Sequence, residues 1–173
     1  MRNLLKRIAQ LFKRAAPKSK KATAGLTAIA VSAAAFIGPW EGLRTTAYPD
    51  ALARNIPTVC YGETRGVQLG DVYTKAECDA MLAKAVQEFH DGLAKCVPTL
   101  PNMPEGVQVA FTSWTYNVGV GAACGSTLAR KANAGDLAGA CNELPRWNRA
   151  GGRTVRGLSN RRGAERELCL GAL

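Results

Sequence analysis

Apolar and polar positions follow different rhythms in different parts of this chain. Between residues 75 and 95, Cys78, Leu82, Ala85, Val86, Phe89 and Leu93 recur at spacings of three and four, the mark of one helical face. Thr74-Lys75-Ala76-Glu77 stands ahead of them as a capping box, in which the threonine and glutamate side chains accept from each other's backbone N–H groups. The spacing predicts a long helix over 75–95. Val107, Ala110, Phe111, Trp114 and Val118 repeat the rhythm behind Pro104, and Gly119 and Gly121 stop it. Ser126 and Asp136 stand where two short helices need N-caps, the second helix running through Leu137, Ala140, Cys141 and Leu144. Gly151-Gly152 marks a loop before a last, basic helix over 160–170.

Between residues 41 and 72 the helical period disappears. Pro49 ends any helix begun upstream and leads into a loop or strand region. Ile56, Thr58, Val59, Tyr61, Val67 and Val72 are then broken by Gly62, Gly66 and Gly70, which reads as a short hairpin or small sheet. The expected class is α+β and mainly helical: a small β-containing lobe and a larger helical lobe, joined by the 75–95 helix. A cleft between such lobes is a common place for a ligand.

Residues 22–40 follow neither rhythm. They form an uncharged run of nineteen residues, just long enough as a helix to cross about 30 Å of hydrocarbon. Only Leu26, Ile29, Val31, Phe36, Ile37 and Trp40 are strongly apolar, the rest being seven Ala, two Gly, two Thr, Ser32 and Pro39, so insertion would be marginal. The run reads as a weak retained anchor that can later leave the bilayer. A cleaved signal peptide, with Ser32-Ala33-Ala34-Ala35 as the cleavage region, and an ordinary buried Ala-rich helix are the alternatives. Leu4, Leu5, Ile8, Leu11, Phe12 and Ala15 add a small amphipathic pattern suited to an anionic membrane face.

Charge sharpens this division. The chain has 173 residues and a formal net charge of +10, but eight basic side chains and no acid lie in residues 1–21, leaving 15 basic against 13 acidic side chains elsewhere. Those eight charges would hold the N-terminal end in the cytoplasm and place everything after Trp40 outside. The chain therefore divides into a basic tail (1–21), a weak transmembrane signal-anchor segment (22–40) and a globular domain (41–173). A tail of this kind also binds phosphate, which makes a basic nucleic-acid-binding protein a competing reading, although it explains neither the uncharged run nor the cysteines. With 47% apolar residues the body can bury a sizeable core, which excludes intrinsic disorder.

Cys60, Cys78, Cys96, Cys124, Cys141 and Cys169 are an even set, no two closer than seventeen positions. That excludes a zinc cluster, which needs close ligand pairs, and suits three disulfides in an oxidising compartment, with fifteen pairings open; six buried thiols are the alternative. The single His90 falls in the long helix as a surface or partly packed residue without a role. Trp114 and Trp147 read as packing residues, and Arg146, Arg161, Arg162 and Arg166 as a solvated or ion-paired face.

Glu41 and Asp50, nine positions apart, straddle a helix end and a turn. Glycoside hydrolysis needs two carboxyl groups in different states, one protonated to serve the leaving oxygen and one ionised to activate water or stabilise the transition state. The surrounding Glu41-Gly42-Leu43-Arg44, Ala47-Tyr48, Asp50, Thr58 and Cys60-Tyr61-Gly62-Glu63-Thr64 resemble the catalytic stretch of phage-type lysozymes, glycoside hydrolase family 24. Asp71-Val72-Tyr73-Thr74-Lys75-Ala76-Glu77, Ser113-Trp114-Thr115-Tyr116-Asn117-Val118-Gly119, Gly125-Ser126-Thr127-Leu128, Arg146-Trp147, Ala150-Gly151-Gly152, Gly157-Leu158 and Arg161-Arg162-Gly163-Ala164-Glu165-Arg166 follow in family order, so the resemblance spans about residues 39–170.

The resemblance implies a phage-lysozyme-like fold and a peptidoglycan muramidase that lyses the bacterial host, acting as a monomer without cofactor, metal or nucleic acid. By the same resemblance Glu41 is the general acid, Asp50 the carboxylate that positions or activates water, and Thr58 the hydroxyl that holds that water. Tyr61, Asn117 and Thr127 resemble positions facing the saccharide cleft. The chain departs from the family in the step from Asp50 to Thr58, which is eight positions here instead of six and contains no glycine. Residues 1–40 resemble the signal-anchor-release segment of some endolysins, which implies tethering in the host inner membrane and later release into the periplasm. The remaining alternative is a membrane-anchored wall-binding module without catalysis.

Overall fold

The computed structural model describes residues 26–51 and 54–173. The basic tail, the amphipathic pattern over 4–15 and the first residues of the uncharged run lie outside the described residues. From residue 26 the uncharged run is built into the body. Ala28–Glu41 form helix α1, capped by Thr27; Ala30 is buried, and Ala33, Ala34 and Ile37 are buried against Leu82, Ala83, Val86 and Val109. Its alanines allow the close approach that larger side chains would forbid. Two polar tethers reinforce the contact: the Thr27 N–H and hydroxyl donate to Gln87 Oε1 at 3.1 and 2.6 Å, and the Ser32 hydroxyl donates to Glu105 Oε1 at 2.8 Å. Among the described residues no helix is long and apolar enough to cross a membrane.

Strand β1 (Arg44–Asp50) and strand β2 (Ile56–Cys60) form an antiparallel hairpin, and isolated bridges add Thr46 to Val72 and Val59 to Glu63. The strand region begins earlier than expected, directly after α1, and runs through Pro49, which pairs with Pro57. Proline is tolerated there because this small sheet has open edges. Ala47, Val59, Cys60 and Cys78 make a minor core beneath the hairpin.

Helix α2 (Lys75–Ala94) joins this lobe to the larger one and starts with both hydrogen bonds of the expected capping box. A 3₁₀ turn at Leu100–Asn102 leads to α3 (Glu105–Val118), which Gly119 ends with φ +86°. Three short helices follow: α4 (Val120–Cys124), α5 (Thr127–Asn133) capped by Ser126, and α6 (Leu137–Cys141) capped by Asp136. A second 3₁₀ turn at Leu144–Arg146 precedes a very short hairpin, β3 (Arg149–Ala150) and β4 (Arg153–Thr154), in place of the expected loop. Its two central residues, Gly151 and Gly152, have φ +56° and +77°, the sign a tight hairpin turn demands. Helix α7 (Arg156–Gly171) begins four residues earlier than its periodicity indicates.

The main core gathers Leu93, Val97, Leu100, Phe111, Trp114, Leu128 and Leu144, and Trp147 meets Trp114 edge-on at 5.2 Å, in line with the packing role read for both. Gly106 lets α3 rest on α7, since a Cβ there would stand 2.9 Å from the Leu168 carbonyl oxygen. His90 is more buried than expected, with Nε2 lying 3.2 Å from Gln108 Oε1. Because the Gln108 amide nitrogen donates to Met103 O and Pro101 O, its oxygen is the acceptor and His90 Nε2 the donor. All six cysteines pair, as Cys60–Cys78, Cys96–Cys124 and Cys141–Cys169.

Candidate active site

Glu41 is the last residue of α1. The helix ends there because Gly42 takes φ +74°, ψ 148°, a region open essentially to glycine, and the chain turns straight into β1. The Glu41 carboxylate is partly exposed and accepts a hydrogen bond from Arg161 Nη1 at 2.6 Å. Arg161 is itself buried, and it donates through Nε to Glu165 Oε1 at 3.2 Å and through Nη2 to the Ser113 carbonyl at 3.2 Å. Arg162, fully buried one residue on, donates to Glu165 Oε1 at 3.0 Å and to Asn117 Oδ1 at 3.3 Å. Its Nε lies 2.8 Å from Glu165 Oε2, a charge contact without hydrogen-bond alignment. The Ser113 hydroxyl completes the cluster by donating to Glu165 at 2.7 Å.

Arg161 and Arg162 are thus not part of a solvated face. They are the inner, ion-paired side of α7, while Arg166 is exposed and donates to Asn142 Oδ1 at 2.8 Å. Burial raises the Glu165 carboxyl above its ordinary range against the pull of Arg162, Ser113 and Arg161. Burial also brings the Arg162 guanidinium down to about 10, which leaves it charged at neutral pH.

Asp50 closes β1 opposite Ile56, and Tyr48 pairs with Thr58. In an antiparallel ladder these four side chains share one face, which makes Asp50 and Thr58 diagonal neighbours, roughly 7 Å apart at the backbone. The two extra residues of the Asp50–Thr58 step are absorbed in the turn, where Arg54 and Asn55 adopt φ +57° and +61° and the Asn55 N–H donates to Asp50 O at 2.7 Å. Thr58 is buried and its hydroxyl donates to Ile56 O at 3.0 Å.

A cleft of about 390 Å³ opens between the loop after β2 and helix α2, lined among others by Tyr61, Glu63, Arg65, Leu82, Phe89 and Tyr116. Tyr116 packs edge-on against Phe89 at 5.0 Å. Burial first, and the Glu41 charge second, push its phenol up to about 12. Arg65 bridges Glu63 and Glu88 at 3.0 and 2.9 Å along the cleft wall, and its hydrogen bonds hold the Glu63 carboxyl below its ordinary range despite partial burial.

The phage lysozyme family model matches residues 38–165, a stretch that starts at the end of α1 and includes Glu165. The chain belongs to the phage lysozyme family. A curated SAR-endolysin of Enterobacteria phage P21 is 40% identical over 163 residues, covering 89% of this chain and 96% of that relative. Among solved structures, the endolysin of Escherichia coli O157:H7 phage FAHEc1 superposes with TM-score 0.70 at 28% identity, covering 87% of this chain and 96% of that one. A P22 lysozyme variant gives TM-score 0.71 at 27% identity, covering 84% and 97%. The α+β architecture is therefore that of the phage lysozymes, and family membership leaves the nucleic-acid-binding reading without support.

Within this phage lysozyme fold the other candidate residues are tied up to different degrees. Tyr61 lines the cleft, but its hydroxyl donates to Asp79 at 2.7 Å and its ring packs against the core residues on either side. Asn117 is exposed and gives its oxygen to Arg162, and Thr127 opens α5 and accepts from Arg130 at 2.8 Å. Around Glu41 and the cleft, Ser113, Tyr116, Arg161 and Glu165 are among the residues that received no site role from the sequence. The four-residue step from Arg161 to Glu165 was the available signal for the last, but such pairs are usually surface features. Among the described residues no cluster of His, Cys, Asp and Glu could hold a metal ion.

Proposed function

We propose that this protein is a phage endolysin that hydrolyses the β-1,4 bond between N-acetylmuramic acid and N-acetylglucosamine in host peptidoglycan. The observation that carries this reading is Glu41 fixed at the rigid end of α1, held by one buried guanidinium and followed directly in the chain by the hairpin that bears Asp50 and Thr58. Glu41 is the general acid, protonating the leaving glycosidic oxygen. Asp50 positions or activates the water, and Thr58 holds it. With its proton committed to Ile56 O, the Thr58 hydroxyl offers lone pairs to a water beside Asp50. Tyr61, Asn117 and Thr127 line the path of the saccharide, and the enzyme works as a monomer. Digestion of purified peptidoglycan followed by borohydride reduction tests the bond assignment. New ends are expected as N-acetylmuramitol, and N-acetylglucosaminitol would overturn it.

Delivery follows from the first forty residues. The basic tail, 1–21, keeps the N-terminus in the cytoplasm, and residues 22–40 tether the domain, 41–173, to the inner membrane until release into the periplasm. The SAR-endolysin relatives support this order of events. So does the dual character of residues 28–40, uncharged and so suited to marginal insertion, yet forming all but the last residue of α1 in the folded body. Fractionation of expressing cells before and after depolarisation, with intact mass of the released protein, tests it. Full-length protein is expected in the membrane first and soluble and lytic afterwards. A pool already soluble and active before depolarisation would sink the anchor reading.

A further inference from the structure

We infer that Glu165 is a positioning residue whose buried negative charge, set against Arg161 and Arg162, keeps Glu41 able to hold the proton it must deliver. The inference rests on Glu41 being the general acid. A guanidinium 2.6 Å from a carboxylate stabilises the ionised form of that carboxylate, whereas a general acid must enter the reaction protonated. Arg161 thus orients Glu41 while favouring its charged form, and any further positive charge beside it would add to that pull. Arg162, fully buried beside Arg161, adds a second positive charge in the same low-dielectric interior, where charge is felt strongly.

Glu165 offsets that second charge. It is fully buried, and it contacts Arg161 Nε at 3.2 Å and Arg162 Nε at 2.8 Å. The Ser113 hydroxyl donates to it at 2.7 Å and fixes it from α3. With Glu165 ionised the two guanidiniums face two carboxylates, and protonating Glu41 leaves a single positive charge. Without it, protonating Glu41 would leave two positive charges in the interior beside a neutral acid, so the proton would be lost more readily.

The other charged and titratable groups around Glu41 do not set this balance. Tyr116 from α3 is held neutral to about 12. Glu63 and Arg65, which line the cleft with Tyr116, pair with each other. Asp50 at the end of β1 is common to every variant compared. The charges that differ between the variants therefore all lie on α7.

The test is the pH profile of peptidoglycan clearing, read at its alkaline limb, where the general acid loses its proton. Glu165→Gln is expected to move that limb to lower pH by about one unit, with activity partly recovered in acid. Arg162→Gln is expected to move it to higher pH, and the double variant to return close to the wild-type position. Opposite displacements by neighbouring substitutions are a signature of charge that loss of packing does not produce. Ser113→Ala, which deletes one donor and no charge, should move the limb in the Glu165→Gln direction by less, and it decides the matter if a charge variant fails to fold. Limbs that stay in place, or that all move the same way, would overturn the proposal. Full clearing by Glu41→Gln would instead overturn the assignment of the acid on which it rests.

Discussion

Glu41→Gln is expected to clear peptidoglycan at least about a hundredfold more slowly than the wild type, the usual contribution of a positioned general acid. The substitution keeps the shape of the side chain, and its amide oxygen can still accept from Arg161 Nη1, which reaches Glu41 at 2.6 Å. Only the transferable proton is lost. The fold should be unaffected, since the side chain lies at the end of α1 and not in any of the three cores. Turbidity assays on cell walls, with circular dichroism to confirm equal folding, make the comparison direct. A catalytically silent wall-binding module predicts no clearing by either protein, whereas equal clearing by both would reject Glu41 as the acid.

Reduction of the three disulfides is expected to unfold the protein at temperatures where the oxidised form is intact. The bridges close loops with sequence separations of 18, 28 and 28. Chain-entropy estimates give about 3–4 kcal/mol for loops of this length, so together they supply about 10 kcal/mol. A domain of this kind has a total stability of roughly 5–15 kcal/mol. The loss falls on the site as well as on the fold: Cys141–Cys169 ties α6 to the end of α7, the helix that carries Arg161 and Glu165. Thermal melts with and without a phosphine reductant report the effect. Melting temperatures within a few degrees of each other would show that the hydrophobic cores suffice without the bridges.

What was legible in the sequence was whatever depends on near neighbours. The Thr74/Glu77 capping box and the Ser126 and Asp136 caps complete their hydrogen bonds within three residues, so the residue types alone announce them. The long helix was legible for the same reason, its buried face repeating with the helical period. The strand through Pro49 was hidden because proline normally argues against a ladder, and only the open edge of a two-stranded sheet admits it. The left-handed turn at Arg54 and Asn55 was hidden too, since arginine gives no sign of positive φ.

At the site, Glu41, Asp50 and Thr58 were nameable through motif resemblance, whereas their support was not. Arg161 and Arg162 look like a solvent face when α7 is read by itself. They are buried because Ser113 arrives from α3 and Glu41 from α1, 48 and 120 positions away in sequence. No local pattern encodes a meeting of that range. The burial of His90 has the same origin, since Gln108 reaches it from α3.

The disulfide map has one further consequence. Each cysteine is joined to the next one in the chain, so the three covalent rings neither overlap nor nest. A domain that enters an oxidising space from its anchored end onward exposes Cys60 and Cys78 before Cys96, and Cys96 and Cys124 before Cys141. If each new thiol is joined to the unpaired one just ahead of it, the native map assembles in order of arrival. Of fifteen possible maps, this one needs no shuffling of mispaired bonds, and export itself can serve as the proofreader.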